Sequence, residues 1–362
     1  PTGFVRLNTF NLPTPTIGAT AAELANEYMD ATLYTGNGST NTITNSGSMQ
    51  PDLLWTKRRS AISDHYLQDS VRGVNKALFS DLTDSEYTIT STTTTLNNNG
   101  FSFNGGESGL NANTSTYVAW QWRASGTTSN ITVGQYSVSP NVPSIASTVS
   151  ANTTAGFSIV KINASGTSGS IGHGLGVAPS MIIGKNTASA DDWYTYHASI
   201  GTGAFIRLNT TGAQASSASA YTNITSTTFT AGSGVLSNNA HIFYCFAPIA
   251  GYSAFGSYTG NGSTDGPFIF TGFRPAFVMT KITSGSGDWY MWDNKRIISA
   301  NGDAGLLYAQ SSLAESDYNA AGIDLLSNGF KIRNSDNSDN GSGVTVIYMA
   351  FAETPLKFSN AR

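Results

Sequence analysis

Four histidines, His65, His173, His197 and His241, could act as general bases near neutral pH, and one thiol, Cys245, could act as a nucleophile. No two histidines stand at metal-ligand spacing, and no cysteine clusters with them. His173 lies in Ile171-Gly-His-Gly-Leu175, a glycine turn ahead of a strand, and reads as a structural histidine. Cys245 lies in the apolar run His241-Ile-Phe-Tyr-Cys-Phe246 and reads as a buried, inert thiol. Glycoside hydrolysis needs two acids flanking a cleft, one with a raised pKa. Glu107, Glu315 and Glu353 stand in turn-like surroundings, and no acidic pair separates itself from them. Asp64, Asp192 and Asp288 recur at one loop–strand junction and read as turn residues that satisfy local backbone donors. The expectation is a protein with no catalytic residue and no cofactor.

Three further groups could bind rather than react. Asp336-Asn-Ser-Asp-Asn-Gly341 resembles the first half of a calcium loop, which makes Asp336 and Asn340 the metal candidates. The closing bidentate acid is missing, because position twelve is Ile347, and a hairpin turn is the expected use. Trp193, Tyr194, Trp289, Tyr290 and Trp292 could stack on a sugar ring or on another subunit. Strand alternation sends Trp289 to one face and Tyr290 and Trp292 to the other, so at most half of these rings could meet a ligand. Lys57, Arg58 and Arg59 form the main basic concentration and could touch an acidic patch on a partner.

The elements that carry these residues recur. Pro51-Asp-Leu-Leu-Trp-Thr-Lys57 precedes Asp64-His-Tyr66, Pro179-Ser-Met-Ile-Ile-Gly-Lys185 precedes Asp192-Trp-Tyr194, and Pro275-Ala-Phe-Val-Met-Thr-Lys281 precedes Asp288-Trp-Tyr290. The Pro-to-Lys and Lys-to-Asp spacings match without a gap, which indicates one unit used in tandem. A proline opens each strand, a short apolar run follows, and the lysine reads as the exit to solvent before an aromatic strand returns. Tyr34-Thr-Gly-Asn-Gly-Ser39 returns unchanged as Tyr258-Thr-Gly-Asn-Gly-Ser263, and its Asn-Gly predicts a turn with positive φ.

Composition fits that reading. Only 11% of the 362 residues are charged, against about 25% in ordinary domains. Glycine (38 residues), Ser, Thr and Asn disfavour long helices. The predicted fold is all-β: three tandem antiparallel β-sandwiches of jelly-roll or lectin-like type. An arm over 1–32 leads, followed by repeats at 33–124, 157–250 and 251–358, a connector at 125–156 and a tail at 359–362. Within the arm, Ala21-Ala-Glu-Leu-Ala-Asn-Glu-Tyr-Met29 predicts one short helix. Phe4, Phe10, Leu12 and Ile17 are too apolar for a solvated tail, and Pro13 and Pro15 keep the arm extended, so it is expected to lie on a neighbouring subunit. The net charge of −4 gives no reason to expect nucleic acid, and no apolar run reaches the length of a membrane helix. Pro1-Thr2 fits removal of a start methionine, and the expectation is a whole mature protein with no secretory leader.

The Tyr-Thr-Gly-Asn-Gly turn, the Pro-to-Lys strand, Asp69-Ser-Val-Arg-Gly73, Asn328-Gly-Phe330 and Tyr348-Met-Ala-Phe-Ala352 together resemble a repeated domain of marine tailed-bacteriophage proteins, often labelled tail-fibre or tail-fibre-like. The likeness extends to Asn11-Leu-Pro-Thr-Pro-Thr16 and Phe351-Ala-Glu-Thr-Pro-Leu-Lys357. It implies a structural protein at the virion surface, most simply a tail or head fibre or spike. The alternatives are a capsid decoration protein or a carbohydrate-binding module for host glycans. The expected partners are other virion proteins through the arm, with a homo-oligomer, favourably a trimer. His65 departs from the Trp of the other two repeats, and repeat two lacks the Asp-Ser-x-Arg-Gly segment.

Overall fold

The computed structural model describes residues 17, 23–136, 142–296, 304–318 and 322–353. Among them the fold is all-β, built from antiparallel sheets, with two three-residue 3-10 turns at Ala25–Glu27 and Ala198–Ile200. The short helix expected at 21–29 does not form in its described part. Met29 already opens the strand Met29–Thr35 and pairs with Trp122. Tyr28 and Met29 are drawn into the core, and that burial outweighs local helix propensity.

The apolar run after each proline becomes a strand: Leu53–Arg58, Met181–Asn186 and Pro275–Ile282. Each is the third strand of a larger sheet with one recurring order. In the first, the order is Met29–Thr35, Thr116–Trp122, Leu53–Arg58, Tyr66–Asp69, Lys76–Phe79 and Tyr87–Thr88. The third repeats it with Ser253–Thr259, Thr345–Ala352, Pro275–Ile282, Trp289–Asp293, Ala304–Tyr308 and Ser316–Tyr318. The second repeats it with Phe157–Asn163, Ala240–Phe246, Met181–Asn186, Trp193–His197, Ala204–Arg207 and Ala215–Ser216. Here Ser147–Asn152 and Ser129–Ile131 extend the sheet to eight strands, so the stretch read as a connector supplies edge strands. A three-stranded sheet accompanies each large one, again in one order: Thr40–Thr44, Gly100–Gly105, Thr92–Asn97; then Gly169–Gly172, Thr228–Ala231, Tyr221–Thr222; then Phe268–Phe270, Gly329–Ile332, Ile323–Leu326.

Continuous apolar runs are needed because both faces of these strands are covered. Leu54 points to a cluster shared with Ile43, Phe101 and Phe103 of its small sheet, and Ile182 to one shared with Ile171 and Phe229. The other face, with Leu53 and Trp55, Met181 and Ile183, and Phe277 and Met279, points into one central cluster common to all three repeats. Trp122, Phe246 and Phe351 meet there edge to face, at centroid distances of 5.8 to 6.2 Å.

Candidate functional site

The three lysines end their strands in the interior, each with no exposed surface. They are not exits to solvent, because each strand end is covered by a neighbouring repeat. Lys57 Nζ donates to the carbonyls of Arg58 (2.8 Å) and Ser312 (3.2 Å). Lys185 Nζ donates to Asn186 (2.8 Å) and Thr83 (3.1 Å), and Lys281 Nζ to Gly287 (2.7 Å) and Thr211 (2.9 Å). The first repeat therefore holds the third, the third holds the second, and the second holds the first. Burial, which disfavours the ammonium, pushes all three down to about 8.

The return strands close the same circle. Trp193 Nε1 donates to the Phe79 carbonyl and Trp289 Nε1 to the Arg207 carbonyl, both at 2.8 Å. Phe79, Arg207 and Tyr308 hold one register position, opposite Tyr66, Tyr194 and Tyr290. His65 takes the place of the tryptophans. It accepts from Trp55 Nε1 at Nδ1 (2.9 Å), which leaves the neutral ring's proton on Nε2. That nitrogen feels the carbonyls of Tyr308 and Ser311, although neither meets hydrogen-bond geometry.

A third layer uses charge. Asp69 pairs with Arg72 and Asp293 with Arg296, both at 2.6 Å and fully enclosed. Tyr244 Oη donates to Asp69 Oδ2 (2.8 Å), and Trp120 Nε1 donates to Asp293 Oδ2 (2.9 Å), with the Arg296 guanidinium 5.3 Å over the Trp120 ring. His197 holds the equivalent register position in repeat two, which accounts for the missing Asp-Ser-x-Arg-Gly segment. Its Nδ1 accepts from Ser199 N (3.1 Å), so Nε2 donates to the Tyr348 carbonyl (3.1 Å), and burial lowers its pKa to about 4.

The sequence candidates distribute over this frame. Trp193, Trp289, Tyr290 and Trp292 are all buried, so both faces of the third return strand are covered and none of these rings offers a sugar platform. Tyr194 is half-buried, bonded to Asp191 (3.0 Å) and covered by Arg207. Among the basic residues, Lys57 is enclosed, Arg59 pairs with Glu315 of repeat three, and Arg58 is half-buried. The basic stretch thus serves an internal seam, not an external patch. Ile17 is fully buried in the central cluster, against the chain's own core and not a partner, while Phe4, Phe10 and Leu12 lie outside the described residues.

Asn340 is a turn lock. Its Oδ1 accepts from Asn261 N (3.0 Å), and its Nδ2 reaches the Ser263 and Asn334 carbonyls (2.8 and 2.5 Å). Asn111 does the same in repeat one, with Asn37 N at 3.1 Å and the Ser39 and Gly105 carbonyls at 2.7 Å. These asparagines hold the Tyr-Thr-Gly-Asn-Gly turns, where Gly38 and Gly262 adopt φ of 71° and 68°. Asp336 caps the same loop, accepting from Ser338 N (2.7 Å). Among the described residues no three His, Cys, Asp or Glu side chains gather as a metal site. His65, His173, His197 and His241 are buried, and burial lowers the pKa of each. Cys245 is buried too, its pKa raised by desolvation. A void of about 10 Å³ at the centre, between Trp55, Trp122, Ile183, Tyr244, Phe277 and Met349, has room for about one water and an apolar lining.

Among the described residues, Asp64, Asp192 and Asp288 accept no backbone hydrogen bond at their turns. Asp192 Oδ1 accepts from Asn209 Nδ2 (2.9 Å) and Asp288 Oδ1 from Gln310 Nε2 (2.6 Å), while the same amides accept from Trp193 N and Trp289 N. In repeat one Asp81 fills the amide's place, accepting from His65 N (3.0 Å). Sequence reasoning missed this second partner because its residue type differs in each repeat, and because Gln310 stands 22 residues from its aspartate where Asn209 stands 17. One surface feature was also missed. Phe268 and Phe270 lie 45% and 56% exposed on the outer face of the third small sheet. The corresponding positions, read through Ile43–Phe101, Ile171–Phe229 and Ile269–Phe330, are Thr42 and Thr44, and Ser170 and Gly172.

No curated protein and no solved structure matches this chain. A family model does, over residues 25–355, a span that takes in all three copies of the Pro-to-Lys strand. The chain belongs to the family described as domain of unknown function DUF7483.

Proposed function

We propose that this chain is a non-enzymatic structural protein of a bacteriophage particle, a tail- or head-fibre or spike-type appendage at the virion surface. In this reading it is three tandem lectin-like β-sandwiches, each pairing a large sheet with a small one. Within the arm over 1–32, Ile17 and the residues from Ala25 on belong to the chain's own core and first sheet, so joining to other virion proteins falls to the segment ahead of Ile17. The phage assignment rests on the sequence resemblance. The observation that carries the structural role is the closed circle of seams. The large buried polar groups of each repeat, Lys57, Lys185 and Lys281 foremost, are engaged by the repeat that precedes it in the circle and are used up in holding the repeats together. Threefold arrangements are commonly reached by three chains. Here three repeats of one chain fill those roles, and a single chain is the proposed building unit. The test is a reconstruction of the purified particle with the chain's copy number. Numbers set by the tail or a vertex support an appendage, numbers set by the capsid lattice support a decoration protein, and absence from the particle removes both.

A second reading, contact with a host glycan, is favoured by Phe268 and Phe270. The pair shares one sheet face and is flanked by Lys331, which bonds Asp265 at 2.9 Å. Exposed rings bordered by charged hydrogen-bonding groups suit a pyranose, which has apolar faces and a hydroxyl rim. Binding on a glycan array that disappears in Phe268→Ala/Phe270→Ala supports it, and wild-type protein that binds no glycan refutes it.

A further inference from the structure

Repeats two and three tie the aspartate at the loop–strand junction to a side-chain amide, Asp192 to Asn209 and Asp288 to Gln310. Repeat one has Asp64 in the first role and Asp81 in the second. Two ionised carboxylates only accept, so the shared hydrogen must come from a bound proton. Geometry indicates where it sits. Asp81 Oδ1 already accepts from His65 N, whereas Asp81 Oδ2 is buried with no donor of its own. The two aspartates interact side chain to side chain, and burial together with Asp64 pushes Asp81 up to about 7. Each is next to a residue that holds the third repeat: Ser63 N donates to the Ser312 carbonyl (2.9 Å) and Ser80 Oγ to the Ala309 carbonyl (2.6 Å).

We propose that Asp64 and Asp81 share one proton, with Asp81 Oδ2–H donating to the Asp64 carboxylate, and that this bond is a pH-released lock on the seam between the first and third repeats. Release sends the proton to water and leaves two carboxylates facing one another across the residues that grip Ser312 and Ala309. The other charged and titratable groups around them are Lys57 and Arg58 on the neighbouring strand and its end, His65 between the two, and Glu315 and Arg296 from repeat three. Lys57 keeps its proton until about 8, so it is still an ammonium when the lock releases and moderates the repulsion without supplying the missing hydrogen. The neighbouring seams carry no such dependence, because an amide keeps its hydrogens at every pH of interest.

Asp81→Asn copies the Asn209 arrangement, and Asp64→Asn places the donor on the other partner. The folded pKa of Asp81 is raised, so its proton stabilises the fold below the unfolded value and that contribution is lost as pH rises toward 7. The unfolding equilibrium constant of the wild type, divided by that of Asp81→Asn, should therefore rise up to about tenfold per pH unit between 5 and 7, then level off. Histidines and Asp339 are common to all three proteins and cancel in the ratio. Hydrogen-exchange protection of the Ser63 amide should fall across the same range in the wild type and stay constant in both variants. A protonated-carboxyl band in the wild-type-minus-Asp81→Asn infrared difference spectrum at pH 6, where the Asp339 signal cancels, completes the expected result. A ratio that does not change with pH, or Ser63 protection that falls equally in the variants, overturns the proposal. Failure of both variants to fold overturns it as well, since each should keep the bond.

Discussion

Raising the pH from about 8 to 9.5 should make this protein more stable, the reverse of ordinary alkaline behaviour. Lys57, Lys185 and Lys281 have folded pKa values near 8, against 10.5 in the unfolded chain, with desolvation the leading cause in each. Within that window the unfolded chain binds protons that the folded chain has released, and stability rises wherever the unfolded state binds more protons. One group contributes at most about 1.4 kcal/mol per pH unit, so three give an upper bound of about 4 kcal/mol per unit. Each ammonium keeps two carbonyl acceptors and Lys57 also feels Asp81 and Asp64, so about half that slope is the working expectation. The gain ends near pH 10. Buried tyrosines such as Tyr221, Tyr252 and Tyr258 have pKa values raised by desolvation, and their contribution is lost once the unfolded phenols ionise. Urea unfolding at half-unit steps of pH measures the slope. Lys281→Met, which fills the same space without a titrating group, should remove about a third of it. A wild-type curve that is flat or falling between 8 and 9.5, or a Lys281→Met curve parallel to a rising wild-type one, would show that these lysines do not titrate as their burial requires.

Arg72→Met leaves Asp69 enclosed with only Tyr244 and local amides, and should cost about 3–5 kcal/mol in urea unfolding. The same change at Arg59, whose carboxylate partner lies at a partly exposed seam, should cost about 1 kcal/mol or less. Asn340→Ala orphans the Asn261 amide and the Ser263 and Asn334 carbonyls and should cost about 2 kcal/mol or more, whereas a chelator should leave the wild-type melting temperature unchanged. A melting temperature lowered by the chelator would restore the calcium reading of Asp336 and Asn340. Trp193→Phe keeps the aromatic packing but removes the indole bond to the Phe79 carbonyl, which retains Leu82 N at 3.2 Å, and should cost about 0.5–1.5 kcal/mol.

The strand content, the position of the Pro-to-Lys runs and the Asn-Gly turns were legible because they depend on local pattern: apolar runs, proline at an edge, glycine at positive φ. The lysines were misread for a reason that pattern cannot reach. A lysine after an apolar run marks an exit only when the strand end meets water, and here Ser312, Thr83 and Thr211 arrive from repeats about 70 to 255 residues distant. The same non-local covering buried Trp193 and Trp289, whose indole nitrogens were satisfied by carbonyls in another repeat and not by a ligand. Met29 shows the other failure, where pairing with Trp122 overrode a helical composition.

A chain with three like units must also choose which unit meets which. The recurring elements, lysine to carbonyl and ring to carbonyl, would serve any cyclic order. The departures from symmetry do not. Trp120 needs the Asp293 carboxylate, Tyr244 needs Asp69, and His197 needs a free carbonyl, which Tyr348 supplies. Seating repeat two against repeat three in the manner of repeat one would bring Tyr244 to Asp293 and leave Trp120 facing His197, whose Nε2 also donates. Two donors would then meet in the core with no acceptor, at about 1–3 kcal/mol for each unsatisfied group. His197, which looks like a lapse in the repeat, is what makes one order of assembly cheaper than the other. Converting His197 to Asp with an arginine three residues on should equalise the seams. Refolding yields that fall, with a second compact species appearing, would support the account, and unchanged two-state refolding would refute it.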